Sequence, residues 1–189
     1  TCEKQDAAAD FLTGAPMGGG SWHRRPAAPR SVWRIANGEA TAGHWTVGEV
    51  EFYASRTCEG EPLSGVVTAS GFRRQGREPY KAVDGLAALN GPMGGSRWES
   101  SCSPCAVGEA WVGIDMGEPV EVECIRLFQA GHPEHSSTVL QLDHWEAGAW
   151  TTHMVFAGLG GDSWHTRPSP PNSMWRVRLQ EQRQKRCSE

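Results

Sequence analysis

The sequence predicts an all-β fold, an antiparallel jelly-roll sandwich with an extended N-terminal arm, and three observations predict it. Apolar residues alternate with polar ones in short runs, the runs are separated by turn-rich stretches, and no segment longer than about ten residues keeps a clean 3.6 period. Period-two alternation puts one face of each segment against a core and the other toward solvent, the pattern of antiparallel sheets.

The 189-residue chain begins with a stretch, residues 1–30, rich in Ala, Gly and Pro and without periodicity, which reads as an extended arm. A sandwich follows over 31–180, with a short tail at 181–189. Within the sandwich, Trp33 and Ile35 flank Arg34, and Val50 and Phe52 alternate with Glu49, Glu51 and Tyr53. Val112, Ile114 and Met116 alternate with Trp111, Gly113 and Asp115, Leu140 and Leu142 with Gln141 and Asp143, and Trp175, Val177 and Leu179 with Arg176 and Arg178. The stretches NGEATAG, NGPMGG, EAG and RPSPPN supply turns. Only YKAVDG looks helical, as a single turn ended by Gly85. Of the nine tryptophans, Trp33, Trp111, Trp150 and Trp175 are expected in the core or at strand ends.

Net charge is −4, and Lys4, Lys81 and Lys185 are the only lysines, so no basic stripe exists to follow a phosphate backbone and nucleic acid is not an expected partner. No apolar run reaches the ~18 to 20 residues of a membrane span. The start at Thr1 suggests a processed form whose targeting segment is gone. Six cysteines, Cys2, Cys58, Cys102, Cys105, Cys124 and Cys187, fit an oxidising compartment outside the cytosol, by secretion or in an organelle lumen, the thylakoid lumen included. A Cys2–Cys187 bridge would tie the two ends together. The other four cysteines allow three pairings, among them a bridge within the Cys102-Ser-Pro-Cys105 loop and bridges from that loop to Cys58 or Cys124.

One phrase occurs twice: GGGSWHRRPAAPRSVWRI from Gly18 and GGDSWHTRPSPPNSMWRV from Gly160. The shared Ser-Trp-His gives His23 and His165 a common structural task such as bonding a turn, while Trp22 and Trp164, in Pro-rich flanks, are candidates for anchoring the arm or meeting a partner.

The stretches TASGFRRQGREPYKAVDG, RWES and EAWVGIDMGEPVEVECIRLFQ, in that order, carry a family resemblance. Ala69, Ser70, Lys81, Ala82, Val83, Asp84, Gly85, Trp98, Trp111, Asp115, Gly117, Val122 and Ile125 stand where the discoidin or coagulation-factor C-type domains place their signature residues, and LQLDHWEAGAW resembles that family's tryptophan-ended hairpin. The resemblance covers roughly residues 65 to 179 and implies a galactose-binding-like jelly roll. The closing strand of that family stands at the front here, as WRIANGEATAGHWTVGEVEFYASRTC from Trp33 to Cys58, so the domain resembles a permuted slice of a tandem array.

The resemblance implies a calcium ion held by Asp84 and Glu49, whose hard oxygens suit it, while a turn cap is the plainer task for Asp84. It also places ligand-contacting spikes at the rim, where Arg73, Arg74 and Arg77 stand, and beside that reading Arg73, Arg77, His132 and His135 could supply the polar part of a sugar site. No nucleophile elbow, paired-carboxylate signature or phosphate loop is present. The expected function is a non-catalytic module that recognises a glycan, lipid headgroup or protein surface. The alternative is a peripheral lumenal subunit that stabilises or links its neighbours in a large membrane complex, for example a photosystem.

Overall fold

The computed structural model describes residues 30–87 and 95–168, and these form an all-β domain of two antiparallel sheets in contact. The described strands are β1 (Val32–Asn37), β2 (Thr46–Tyr53), β3 (Val66–Ala69), β4 (Trp98–Glu99), β5 (Trp111–Asp115), β6 (Cys124–Gln129), β7 (Leu140–Glu146), β8 (Ala149–Phe156) and β9 (Trp164–Pro168). One sheet has the order β3-β5-β1-β7-β8 and the other β4-β2-β6-β9. The segment Val47 to Tyr53, on which the permuted reading depends, is an inner strand of the second sheet, paired with β4 and β6.

Alternation decides which side chains enter the core. Trp33 and Ile35 of β1, Val112 and Ile114 of β5, and Leu140 and Leu142 of β7 face Val47, Val50 and Phe52 of β2 and Ile125 and Leu127 of β6, all at most 2% exposed. Each such aliphatic side chain contributes on the order of 1.5–3 kcal/mol by leaving water. In β2 the two valines are three residues apart and would point to opposite faces of a regular strand. A bulge between Val47 and Glu49 absorbs one residue, so both valines point inward and Glu49 points outward. Trp45 and Trp98 add an edge-to-face pair with centroids 5.7 Å apart.

Trp111 opens β5 and Trp150 lies near the start of β8, at strand ends as expected, but their rings are not in the core. Val112 takes the inward position, which turns Trp111 out. On the outer face the Arg34 guanidinium lies 4.1 Å from the Trp150 ring and 5.2 Å from that of Trp111. Gly113 pairs with Arg34 across the strands and has no side chain to obstruct it. Asp143 of β7 binds the same guanidinium from Nε and Nη2 at 2.9 Å.

The EAG turn closes the β7–β8 hairpin in two residues, Ala147 and Gly148, both with positive φ (52° and 85°), which matches the twist of the flanking strands. YKAVDG contributes a 3₁₀ turn over Pro79–Ala82, which stops at Val83 before reaching Gly85. Disulfides join Cys58 to Cys124, fastening the loop after β2 to β6, and Cys102 to Cys105 within its own loop. The expected Cys2–Cys187 bridge, Trp22, His23, the Trp175–Leu179 strand, the tail and all of the arm except Arg30 lie outside the described residues. No helix among the described residues is long and apolar enough to cross a membrane.

Candidate functional site

One end of the β4-β2-β6-β9 sheet gathers a cleft. Thr46 at the start of β2 pairs with Glu99 of β4, Ala130 just after β6 donates from its N–H to the Thr46 carbonyl, and Asp162 precedes β9 and donates from its N–H to the Gln129 carbonyl. The cleft measures about 330 Å³ and is lined by Arg73, Arg97 and Glu99 on one side and by His44, Gly131, His132, His135 and Asp162 on the other.

Its positive wall is organised by one carboxylate. Glu99 is 4% exposed and accepts from three guanidiniums: Arg73 Nη1 at 3.2 Å, Arg77 Nε at 2.9 Å and Arg97 Nε at 2.9 Å. Burial alone would raise the Glu99 pKa, but the adjoining guanidiniums of Arg97, Arg73 and Arg77 outweigh it and hold it below the ordinary carboxylate value. One buried negative charge against three positive ones makes this wall positive, while Asp162 adds a carboxylate to the cleft lining. The loop carrying Arg73 is pinned by its own backbone. The Arg73 N–H donates to the Glu99 carbonyl at 2.9 Å, and Trp98 Nε1 donates to the Gly71 carbonyl at 2.8 Å. Gly71 has φ 129°, and a Cβ there would stand 2.8 Å from Ser101 Oγ.

The opposite wall rests on Gln129, a fully buried amide whose hydrogen-bonding capacity is filled. Its Oε1 accepts from Trp45 Nε1 and the Ser137 N–H, and its Nε2 donates to the Ser137 and Gly160 carbonyls. Asp162 Oδ1 accepts from the Gly131 N–H at 3.0 Å. A 3₁₀ turn, Pro133–His135, carries one rim histidine and is capped by the other, His132, and its Glu134 carbonyl accepts from the Gly43 N–H at 2.8 Å.

The candidate contacts thus separate into those brought together and those left apart. Arg73, His132 and His135 line the cleft, and Arg77 stands behind it on Glu99. Arg74 is exposed beside them and does not line it. Trp164 is 37% exposed on the outer face of the β6–β9 pair, against Phe128 and under the Arg126 guanidinium, 4.4 Å from its ring. His165 does bond a turn, since its Nε2 accepts from the Gly160 N–H at 3.1 Å. His44, Arg97, Glu99 and Asp162 escaped the sequence reading because they come from separate segments of the chain. Arg97 and Glu99 flank Trp98, and that adjacency was the available signal.

Glu49 and Asp84 also meet, on the outer face of β2. Glu49 is 2% exposed, its Oε2 has no hydrogen-bond partner, and its pKa is raised to about 7, first by burial and further by the charges of Asp84 and Glu51, against the N–H groups of Gly85 and Leu86, which favour its ionised form. Asp84 accepts from the Leu86 N–H at 3.0 Å through Oδ1 and from Ser96 Oγ through Oδ2, the cap expected of it. An orphaned buried carboxylate oxygen beside a second carboxylate suits a hard cation.

Compared with protein-family models, curated proteins and solved structures, the chain matches none.

Proposed function

We propose that this domain is a non-catalytic recognition module, a jelly roll of discoidin type, which holds an acidic sugar in the cleft at the end of its second sheet. The observation that carries the reading is Arg73 and Arg97 in the lining of a cleft of about 330 Å³ with His44, His132 and His135, both held with Arg77 behind them on the single buried Glu99. That volume lies at the small end of ligand sites, ~300 to 1,000 Å³, and is suited to one ring or its charged substituent. A planar guanidinium presents paired donors to a carboxylate or sulfate. A calcium ion held by Glu49 and Asp84 belongs to the same proposal, and its chemistry would be to neutralise the two carboxylates and fix the loop from Asp84 onward. Two disulfides support action in an oxidising compartment outside the cytosol.

Binding of the full chain to sulfated and uronate glycans, to their neutral counterparts and to vesicles with and without anionic lipid tests this. Saturable binding to the acidic glycans, weakened about tenfold by Arg73→Ala and by added salt, is expected. Binding only to anionic vesicles moves the anion to a lipid headgroup, and equal binding to neutral glycans defeats the proposal.

A second reading, a peripheral subunit of a larger assembly, is favoured by Trp145 and Val155, 43% and 57% exposed on the β7–β8 hairpin. Purification at native abundance within a fixed-ratio complex, lost on Trp145→Ser, would support it.

A further inference from the structure

We propose that His132, Glu134 and His135 form a binding site for a zinc-class divalent metal at the rim of the cleft, independent of whether the cleft takes an acidic ligand. Each of the three offers a ligand atom, and these atoms lie within 4.8 Å of one another. The spacing follows from local structure. His132 is the N-cap of the Pro133–His135 turn, with extended backbone, and Pro133 presets the turn that brings His135 back beside it, the two rings standing 5.6 Å apart. Around a tetrahedral zinc with bonds of ~2.0 to 2.1 Å, ligand atoms stand about 3.4 Å apart. His132 Nδ1 accepts from the Glu134 N–H at 3.4 Å, a long bond that the ring gives up to the metal as the exposed His132 and Glu134 side chains rotate to close the difference.

The tautomer and orientation of His135 are set by its partner. Its Nδ1 lies 3.0 Å from the His44 carbonyl, which can only accept, so Nδ1 carries the proton and Nε2 presents a lone pair. A metal-ligating histidine is ordinarily held by such a bond from its other nitrogen, which orients the ring and raises its basicity. The ring is seated further by Gly43, where a Cβ would come within 2.6 Å of His135 Cε1 and Nδ1. The turn itself is fixed, since the Glu134 carbonyl accepts from the Gly43 N–H and the His132 carbonyl from Ser136 Oγ at 3.2 Å. Two imidazoles and a carboxylate are the donor set of a borderline metal, and three protein ligands leave coordination positions for exchangeable groups. Because His132 and His135 line the cleft, those positions open into it.

The test is titration of the chelator-treated full chain with Zn2+ by calorimetry, with Co2+ absorption reporting nitrogen and oxygen ligation. One saturable site is expected, weakened about tenfold or more by His135→Gln and by His132→Gln. Metal-free melting temperatures should fall only slightly, since each substitution removes one bond, His135 to the His44 carbonyl or His132 to the Glu134 N–H, and the added stability that Zn2+ gives the wild type should be lost in both. Gly43→Ala, which removes no donor but displaces the His135 ring, should weaken Zn2+ in the same direction. Absence of saturable Zn2+ binding overturns the proposal, and so does binding that His135→Gln leaves unchanged, which would put the metal on other histidines.

Discussion

Replacing Glu49 with Gln, in the presence of chelator, gives a stability change whose sign and size follow from the burial of one carboxyl. The group has a pKa of about 7 in the folded chain against an ordinary value of 4.5. A carboxyl whose folded pKa is raised contributes stability that is fully present below the unfolded value and is lost as pH rises through the folded value. Between those limits the native state holds more protons than the unfolded one, so stability must fall as pH rises. For this shift the loss between pH 5 and pH 8 is about 2.5 kcal/mol. His144 and His153 act in the opposite sense. Burial lowers both their pKa values, so their contribution is lost as pH falls below the ordinary histidine range and partly masks Glu49 in the wild-type profile. The comparison removes them: the difference between wild type and Glu49→Gln, from urea unfolding at pH 5, 6, 7 and 8, isolates the carboxyl. The variant should be the more stable at pH 8 by about 2 kcal/mol relative to their difference at pH 5. Added Ca2+ should raise wild-type stability at pH 8 and leave the variant unmoved, because the ion takes the ionised form. A difference that does not vary with pH would refute the argument that burial of Glu49 outweighs the N–H groups of Gly85 and Leu86.

Three further outcomes follow from close packing and covalent restraint. Gly113→Ala would place a Cβ 2.1 Å from the Trp33 carbonyl oxygen and 2.7 Å from Arg34 Cβ, so a loss of about 1–3 kcal/mol and a changed near-ultraviolet signal from the Trp111–Trp150 pair are expected. Gln129→Leu should cost on the order of 2–4 kcal/mol by chemical denaturation, because Trp45 Nε1, the Ser137 N–H and two carbonyls lose their partner together. Replacing both Cys58 and Cys124 with Ser opens a bridge spanning 66 residues and should lower stability by about 4 kcal/mol in urea unfolding.

The strands were legible where one residue type filled one face. Val112, Ile114, Leu140 and Leu142 alternate cleanly and all face the core. What alternation could not express was the bulge in β2. A strict period assigns Val47 and Val50 to opposite faces, and only pairing with β6 shows that one residue drops out of register. The same limit applies to the outer face of the first sheet. Tryptophan is as useful covering a guanidinium as filling a core, so Trp111 and Trp150 could not be allotted to a face by hydrophobicity. Their partner, Arg34, was visible only as the polar residue between Trp33 and Ile35. The second strand of the β7–β8 hairpin was announced by its turn rather than by its own pattern, since residues 149–156 face solvent along much of their length.

Site residues became legible to the degree that they shared a segment. Arg73 and Arg77 lie in one loop and His132 and His135 in one turn, so composition marked each pair, yet nothing in either pair says that the two segments meet. They meet because β2 pairs with β4 on one side and β6 on the other, which carries Glu99 and Ala130 to the same end of the sheet. The deciding residue is Glu99, which reads in sequence as one more acidic surface position. Three arginines cannot crowd together without it, and a buried carboxylate cannot remain ionised without them. Neutralising Glu99 should therefore do more than remove a charge. Glu99→Gln would leave three guanidiniums repelling one another in a partly buried space, so the loop bearing Arg73 and Arg77 should open and lose amide protection in hydrogen exchange. The Trp45–Trp98 pair beneath it, held by the core, should keep its protection. Uniform loss across both segments would mean that Glu99 supports the sandwich itself rather than the wall of its cleft.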